Sequence, residues 1–240
     1  MRTHVGHLNI GALIYDGMDQ IDLTGPFEVL SRLSHATFHT FGIDKAPIRD
    51  MHGLQLLPDA AIADAPQLDV LVVPGGFGQE RLMDNGLVLE WIRRRAGTAH
   101  KVLSVCTGAL LFGAAGLLRG RRATTHWSCQ HLLPYFGATP VNARVVVEDD
   151  WVFAAGVTAG IDAALHMAAL LRGKDEARCI QLDMVYAPEP PFDCGTPDTA
   201  PTGILHRAQR NYAEISEQRG RSARQVAARL GISIQSPPNR

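Results

Sequence analysis

The stretch KVLSVCTGALLFGAAGLL, residues 101 to 118, is the part of the sequence that decides the fold. KVLSV (101–105) is an apolar run typical of a buried strand, and GALLFGAAGLL (108–118) predicts a helix. Cys106 and Thr107 lie at the junction, where the chain must turn sharply. Because cysteine is among the most buried residue types, this stretch alone leaves Cys106 open as a small core residue or as a nucleophile held at the turn.

Strand-like and helix-like segments alternate through the first 170 residues or so. Continuous apolar strands of this kind belong to parallel sheets that helices cover on both faces. The sequence therefore predicts an α/β fold with a doubly wound, mainly parallel sheet. The predicted strands are 7–15, 69–76, 101–105, 143–149 and 151–156, and the predicted helices are 22–33, 87–99, 108–118, 128–136 and 161–173.

Composition limits the kinds of partner and the location. The chain has 240 residues, of which 46% are hydrophobic and 20% are charged, and its formal net charge of -1 predicts no overall attraction to nucleic acid or to an anionic membrane. Acidic residues interrupt the apolar amino terminus, and no stretch approaches the length of a spanning helix, so we expect neither a signal peptide nor a membrane segment. The four cysteines show no zinc-finger spacing. These features favour a reduced, cytoplasmic and metal-free protein.

Three regions follow from the pattern. Residues 1–185 form the predicted α/β domain, and 186–203 are a proline-rich extended segment with five prolines between 188 and 201. Residues 204–240 are helical in pattern and rich in arginine, which favours a solvated helical appendage. Within them, 222–233 resembles the first half of a helix-turn-helix, but the few residues that follow are too short for a recognition helix.

A thiol on a tight turn between a strand and a helix has a reactive environment. The backbone N–H groups and the positive dipole end of the following helix point toward the sulfur, which predicts a lowered pKa for Cys106. The arrangement resembles the nucleophile elbow of α/β-hydrolases, with cysteine in place of serine.

Two further groups are predicted at the same sheet edge. Asp22 follows the first strand, where its carboxyl group can exchange protons with the sulfur or serve instead as the N-cap of the next helix. Gly75 and Gly76 leave backbone N–H groups unshielded, and the Gly76 amide with that of Thr107 forms a candidate pair of donors for developing negative charge. A tight turn that needs glycine explains the same residues. His126 is a candidate base for Cys106, although a lone histidine is more often structural.

Four ordered motifs resemble the ThiJ/PfpI superfamily, which is related to class I glutamine amidotransferases. They are QIDLTGPFEVL (20–30), VLVVPGG (70–76), SVCTGALLFGAAGLLRGRRATTHW (104–127) and GVTAGIDAAL (156–165). The resemblance implies a flavodoxin-like fold and a homodimer. The proline-rich EPPFDCGTPDTAP (189–201), together with Asp22, resembles the isocyanide hydratase branch.

That branch implies the addition of water to an isocyanide, which gives an N-substituted formamide without any cofactor. Cys106 would attack the terminal carbon, Asp22 would deliver a proton and then activate water, and Thr107 would position Asp22 or water. The substrate is a small molecule with little to hydrogen-bond, so the pocket should be largely apolar, with Val157 and Trp127 beside it. The alanines at 154 and 155, and an extension over residues 1–5, depart from the expected pattern.

Three alternatives stay open. One is a sensor protein like the AraC-type regulators, which carry a domain of this kind. Another is a glyoxalase, amidase or peptidase with the same thiol, which would need His126 within hydrogen-bond reach of Cys106. The third is a redox sensor, because an accessible thiol of low pKa oxidises readily.

Overall fold

The computed structural model describes residues 6–233, so the predicted extension over residues 1–5 lies outside it. Eleven strands occur in this part of the chain. They are β1 Leu8–Leu13, β2 Ala36–Gly42, β3 Ile48–Arg49, β4 Gln55–Leu56, β5 Ala60–Ala61, β6 Val70–Val73, β7 Lys101–Val105, β8 Arg122–Ala123, β9 Thr139–Pro140, β10 Val145–Glu148 and β11 Trp151–Ala154.

Seven α-helices accompany these strands in residues 6–233. They are α1 Ile21–Leu30, α2 Gln79–Leu82, α3 Gly86–Thr98, α4 Gly108–Ala114, α5 Ala159–Arg172, α6 Lys174–Asp183 and α7 Thr202–Leu230. Two 3-10 helices, Ile62–Asp64 and Trp127–Phe136, complete the regular structure of this range. None of the helices is long and apolar enough to cross a membrane within the described residues.

A seven-stranded sheet forms the centre of the molecule, in the order β10-β11-β7-β6-β1-β2-β5. Every pair in it is parallel except β10 with β11. Strands β6 and β11 are buried along their whole length, because helices cover both faces of the sheet. The predicted α/β architecture is therefore confirmed, with a flavodoxin-like sheet and a long carboxyl-terminal helix.

Helix α4 packs against the end of β6 so closely that only glycine fits at its first position. A Cβ atom added at Gly108 would lie 2.1 Å from the carbonyl oxygen of Val73. Gly97, near the end of α3, has no atom within 4 Å of the same position. Gly108 therefore sets the distance between the cysteine turn and the neighbouring strand.

We expect Gly108→Ala to lower the free energy of unfolding by about 1–3 kcal/mol or more, because the backbone must move to admit the methyl group. The matched substitution Gly97→Ala should raise it by about 0.5–1 kcal/mol, since alanine loses less backbone entropy in a helix. Urea unfolding of both variants measures these changes, and equal stabilities would contradict the packing argument.

Candidate active site

Four neighbouring strands bring the predicted site residues to one edge of the sheet. Strands β11, β7, β6 and β1 lie side by side and parallel. Cys106 follows β7, Gly75 and Gly76 follow β6, Asp22 lies on the helix after β1, and Val157 follows β11. This is the edge at which ligands bind in open α/β sheets.

Cys106 stands at the sharp turn that the sequence predicts. Its φ of 54° lies in the left-handed region, which is uncommon for a residue with a side chain. Two hydrogen bonds hold this backbone: the Cys106 N–H donates to the Ala154 oxygen at 3.0 Å, and the Thr125 hydroxyl donates to the Cys106 oxygen at 2.7 Å. The alanine at 154 thus still secures the turn. The thiol is fixed facing the cavity above the sheet.

The glycine turn after β6 locks against the cysteine turn. The Gly76 N–H donates to Thr107 Oγ1 at 3.1 Å, and the same hydroxyl lies 3.3 Å from the Gly76 oxygen. A Cβ at Gly75 would lie 2.5 Å from both the Thr107 nitrogen and Oγ1. The Gly76 amide is thus occupied, and it does not form the expected donor pair with the Thr107 amide. The Thr107 hydroxyl likewise binds Gly76 instead of Asp22.

Asp22 lies in the first turn of α1 and is fully buried. Its Oδ2 accepts the Gly75 N–H at 2.9 Å, while Oδ1 has no hydrogen-bond partner of ordinary geometry among the described residues. The prediction that Asp22 is an N-cap is wrong, because α1 begins at Ile21 and no side chain caps it.

Burial raises the pKa of Asp22 well above its usual value. The charge of Asp19 adds to the rise, and the Gly75 amide and the Cys106 thiol oppose it. The surroundings of the carboxyl group therefore favour its protonated form.

The thiol of Cys106 does not have the lowered pKa expected from the sequence. Burial raises it well above the usual value, and a charge on Asp22 would raise it further; the Thr107 amide and the Arg219 guanidinium oppose the rise. The contribution of Asp22 disappears whenever its carboxyl group holds a proton. The two groups are thus a coupled pair in which one proton is easily shared and two negative charges are excluded.

His126 faces the same cavity but forms no hydrogen bond with Cys106. Its Nδ1 lies 2.8 Å from the Ser128 hydroxyl and also accepts the Ser128 N–H. Burial, with a smaller effect of the Arg219 charge, lowers the pKa of His126 to about 4. The ring is therefore neutral at physiological pH, and it lacks the contact that a base for the thiol needs.

Two cavities share the walls formed by His126 and Val157. The one at Cys106 is small, with a volume of about 30 Å³, compared with the roughly 10–15 Å³ that one water molecule needs. The second has about 430 Å³ and contains Trp127, which does not line the thiol cavity. Residues 195–198 of the proline-rich segment close its far side. Val157 thus lines the thiol cavity, whereas Trp127 lines the larger cavity beside it.

Helix α7 supplies two residues that the sequence analysis missed. Arg219 and Tyr212 both line the thiol cavity, and the Tyr212 ring packs against those of His126 and Trp127 at centroid distances of 5.2 and 5.6 Å. The expectation of a solvated appendage is therefore wrong for this helix. Of the residues that resembled a helix-turn-helix (222–233), it contains 222–230 without a break. The sequence does contain a signal that one face of this helix is buried, because positions 212, 219, 223 and 226 share that face.

Comparisons with known proteins agree with this architecture. The model of the DJ-1/PfpI family matches residues 9–170. The isonitrile hydratase of Pseudomonas putida is 45% identical over 225 residues, which cover 94% of this chain and 99% of that protein. A crystal structure of a ThiJ/PfpI family protein from Pseudomonas syringae superposes with a TM-score of 0.88 at 38% identity and covers 91% of each chain. The HTH-type transcriptional regulator GbdR of Pseudomonas aeruginosa is 28% identical, and the match covers 74% of this chain and half of that protein.

The depressed pKa of His126 makes the protein less stable in acid. An unfolded histidine has a pKa of about 6.5, so between that pH and about 4 the unfolded chain binds a proton that the folded chain excludes. Stability should fall as the pH falls through this window, and we expect His126→Gln to remove that part of the loss. At pH 4.5 the wild type should have lost roughly 2 kcal/mol more than the variant, relative to pH 7. Urea unfolding at the two pH values measures the difference. If wild type and variant lose the same stability between pH 7 and pH 4.5, His126 is not the group responsible.

Proposed function

Because this chain belongs to the DJ-1/PfpI family, we propose that it is an isocyanide hydratase, an enzyme that adds water to R–N≡C and releases the formamide R–NH–CHO. The observation that carries the proposal is the buried pair of Cys106 and Asp22 at one sheet edge, where burial raises the pKa of the carboxyl group. The isonitrile hydratase named above, whose name refers to the same class of compound, supports this choice of reaction. The proposal retains the cytoplasmic location that the composition favours and the homodimer that the family resemblance implies.

In the first half of the reaction, Cys106 is the nucleophile and Asp22 is the acid. The thiolate attacks the terminal carbon of the isocyanide, and Asp22 transfers its proton to the same carbon, which gives the thioimidate R–N=CH–S–Cys. An isocyanide needs both events at one atom, so a thiol and an acid beside each other suit it. The raised pKa of Asp22 supports this role, since only a protonated carboxyl group can donate.

In the second half, the Asp22 carboxylate acts as the base. It takes a proton from water while the hydroxide adds to the thioimidate carbon, and it passes that proton to the nitrogen. The hydroxyl proton then returns to Asp22 as the carbonyl forms and the C–S bond breaks. The formamide leaves, and the thiolate and the protonated carboxyl group are restored. Every proton passes through Asp22, so no histidine is required.

The absence of a hydrogen bond between His126 and Cys106 favours the hydratase over the alternative enzymes. Glyoxalase, amidase and peptidase chemistry benefits from a base that touches the thiol, and here the ring is bound to Ser128. Thr107 contributes to this site through both its hydroxyl and its amide. Its hydroxyl holds the Gly76 backbone, and its amide stabilises the sulfur of Cys106.

Cys106→Ala should abolish formamide production, and Asp22→Asn should lower it by about 10²-fold or more, because each removes one half of the pair. Asparagine still offers an oxygen to the Gly75 N–H, so the second variant should keep its fold. The assay incubates each protein with a simple alkyl isocyanide and measures the formamide by NMR. Cys179→Ala, at an exposed cysteine, is the matched control and should keep full activity. Full activity in either site variant would remove the mechanism.

The two cavities suggest how the substrate lies. The thiol cavity admits little more than the N≡C group, so the substituent R should pass Val157 into the larger cavity beside Trp127. The lining of the larger cavity includes polar side chains such as Gln130 and Asn142, which were not expected for a largely apolar pocket. Because this cavity is the larger of the two, we place the bulky part of the substrate there.

Trp127→Ala should reduce kcat/KM for cyclohexyl isocyanide by about tenfold or more, while methyl isocyanide is barely affected, since an apolar contact of this size discriminates by about 1–3 kcal/mol. Trp127→Phe should lie between the wild type and the alanine variant. Steady-state kinetics on the two isocyanides test this expectation. An equal loss for both substrates would mean that the substituent lies elsewhere.

A further inference from the structure

The guanidinium of Arg219 is a buried cation without an acidic partner. The residue is only 1% exposed. Its Nη2 donates to the Gly76 oxygen at 2.7 Å, its Nε donates to Gln79 Oε1 at 3.1 Å, and its Nη1 lies 3.5 Å from Cys129 Sγ. The acceptors are thus a carbonyl, an amide and a sulfur, and no carboxylate within residues 6–233 forms an ion pair with Arg219. An uncompensated buried charge is strongly unfavourable, so a negative charge should lie nearby.

The proposed reaction supplies that negative charge. Arg219 lines the same cavity as Cys106. In the proposed reaction the site carries one negative charge at a time: on the thiolate as it attacks, then on the Asp22 carboxylate, and on the thiolate again as the formamide leaves. A buried anion is as unfavourable as a buried cation, so each compensates the other.

We propose that Arg219 is the counter-ion of the Cys106–Asp22 pair and the positioning residue for the Gly75–Gly76 turn. The charge pairing follows from burial and from the shared cavity, whereas its use in hydration rests on the proposed function.

The positioning role follows from a chain of hydrogen bonds. Arg219 and the Thr107 hydroxyl bind the same Gly76 oxygen, at 2.7 and 3.3 Å. The preceding residue, Gly75, donates its N–H to Asp22. A shift of the glycine turn would therefore move the acid relative to the thiol. Arg219 fixes this turn through the Gly76 oxygen, and Gln79, also fully buried, holds the guanidinium in place.

The other titratable groups around the cavity do not replace Arg219. His126 is neutral, because its pKa is about 4, and Tyr212 has a raised pKa from burial. Asp19 also lines the cavity, but its carboxyl group accepts the Ile21 N–H and forms no ion pair with Arg219. Tyr15 is buried behind them and donates to the Pro74 oxygen. Among the residues that line this cavity, Arg219 therefore carries the positive charge at neutral pH.

The test measures the thiol without any isocyanide. In a background with Cys179→Ala and Cys194→Ala, the rate of alkylation of Cys106 by iodoacetamide is followed as a function of pH. Arg219→Met should raise the apparent pKa of the thiol by about one unit or more and so slow alkylation about tenfold at neutral pH. Arg219→Lys should restore most of the rate, because it returns the charge. Arg221→Met is the control, since Arg221 lies on the same helix, exposed and paired with Glu217.

Two results would overturn the proposal: an unchanged alkylation profile in Arg219→Met, or a lysine variant that behaves like the methionine variant. Circular dichroism checks the fold of each variant. Should the methionine variant not fold, the lysine variant decides alone. Its thiol profile should stay near that of the wild type while kcat falls several-fold, because a single ammonium group cannot hold both Gly76 and Gln79. A lysine variant with a shifted thiol profile refutes the counter-ion role. A wild type that hydrates no isocyanide refutes the proposed function and leaves the alkylation test intact.

Discussion

The contact between the two turns at the ends of β6 and β7 is the constraint on which the site depends. Gly75 and Gly108 let the backbones approach to distances that any side chain would prevent. Because the backbones are so close, the Gly76 N–H donates a hydrogen bond to the Thr107 hydroxyl, and the Gly75 N–H donates one to the Asp22 carboxyl group. Hydrogen bonds therefore join the cysteine turn, the glycine turn and the acid into one unit.

Burial governs the chemistry of this unit. It raises the pKa of Asp22 and of Cys106, and it lowers that of His126, so all three groups favour their neutral forms. A site built in this way admits one negative charge at a time. That property suits a reaction in which a thiolate and a carboxylate take turns, and it is unsuited to a stable ion pair of thiolate and imidazolium.

The sequence was informative wherever local pattern determines structure. β7 begins and ends as predicted, and α3 and α5 lie within two residues of the prediction, because continuous apolar runs and helical spacing are local signals. β2 was missed, since most of its residues are only half-buried and the run lacks a buried face. Arg219 was also missed, because its burial depends on contacts with Gly76 and Gln79, about 140 residues earlier in the chain. The positions of Cys106 and Asp22 were predictable, but their pKa values were not, because burial arises from tertiary packing.

The position of α7 in the chain also affects the order of events during synthesis. Asp22, on α1, and Cys106, which follows β7, both precede α7 in the chain and are therefore synthesised before it. Until α7 docks, the thiol has neither its cation nor its aromatic cover, so the nascent domain holds its nucleophile in an unfinished pocket. The cavity at Cys106 is therefore complete only after α7 has docked.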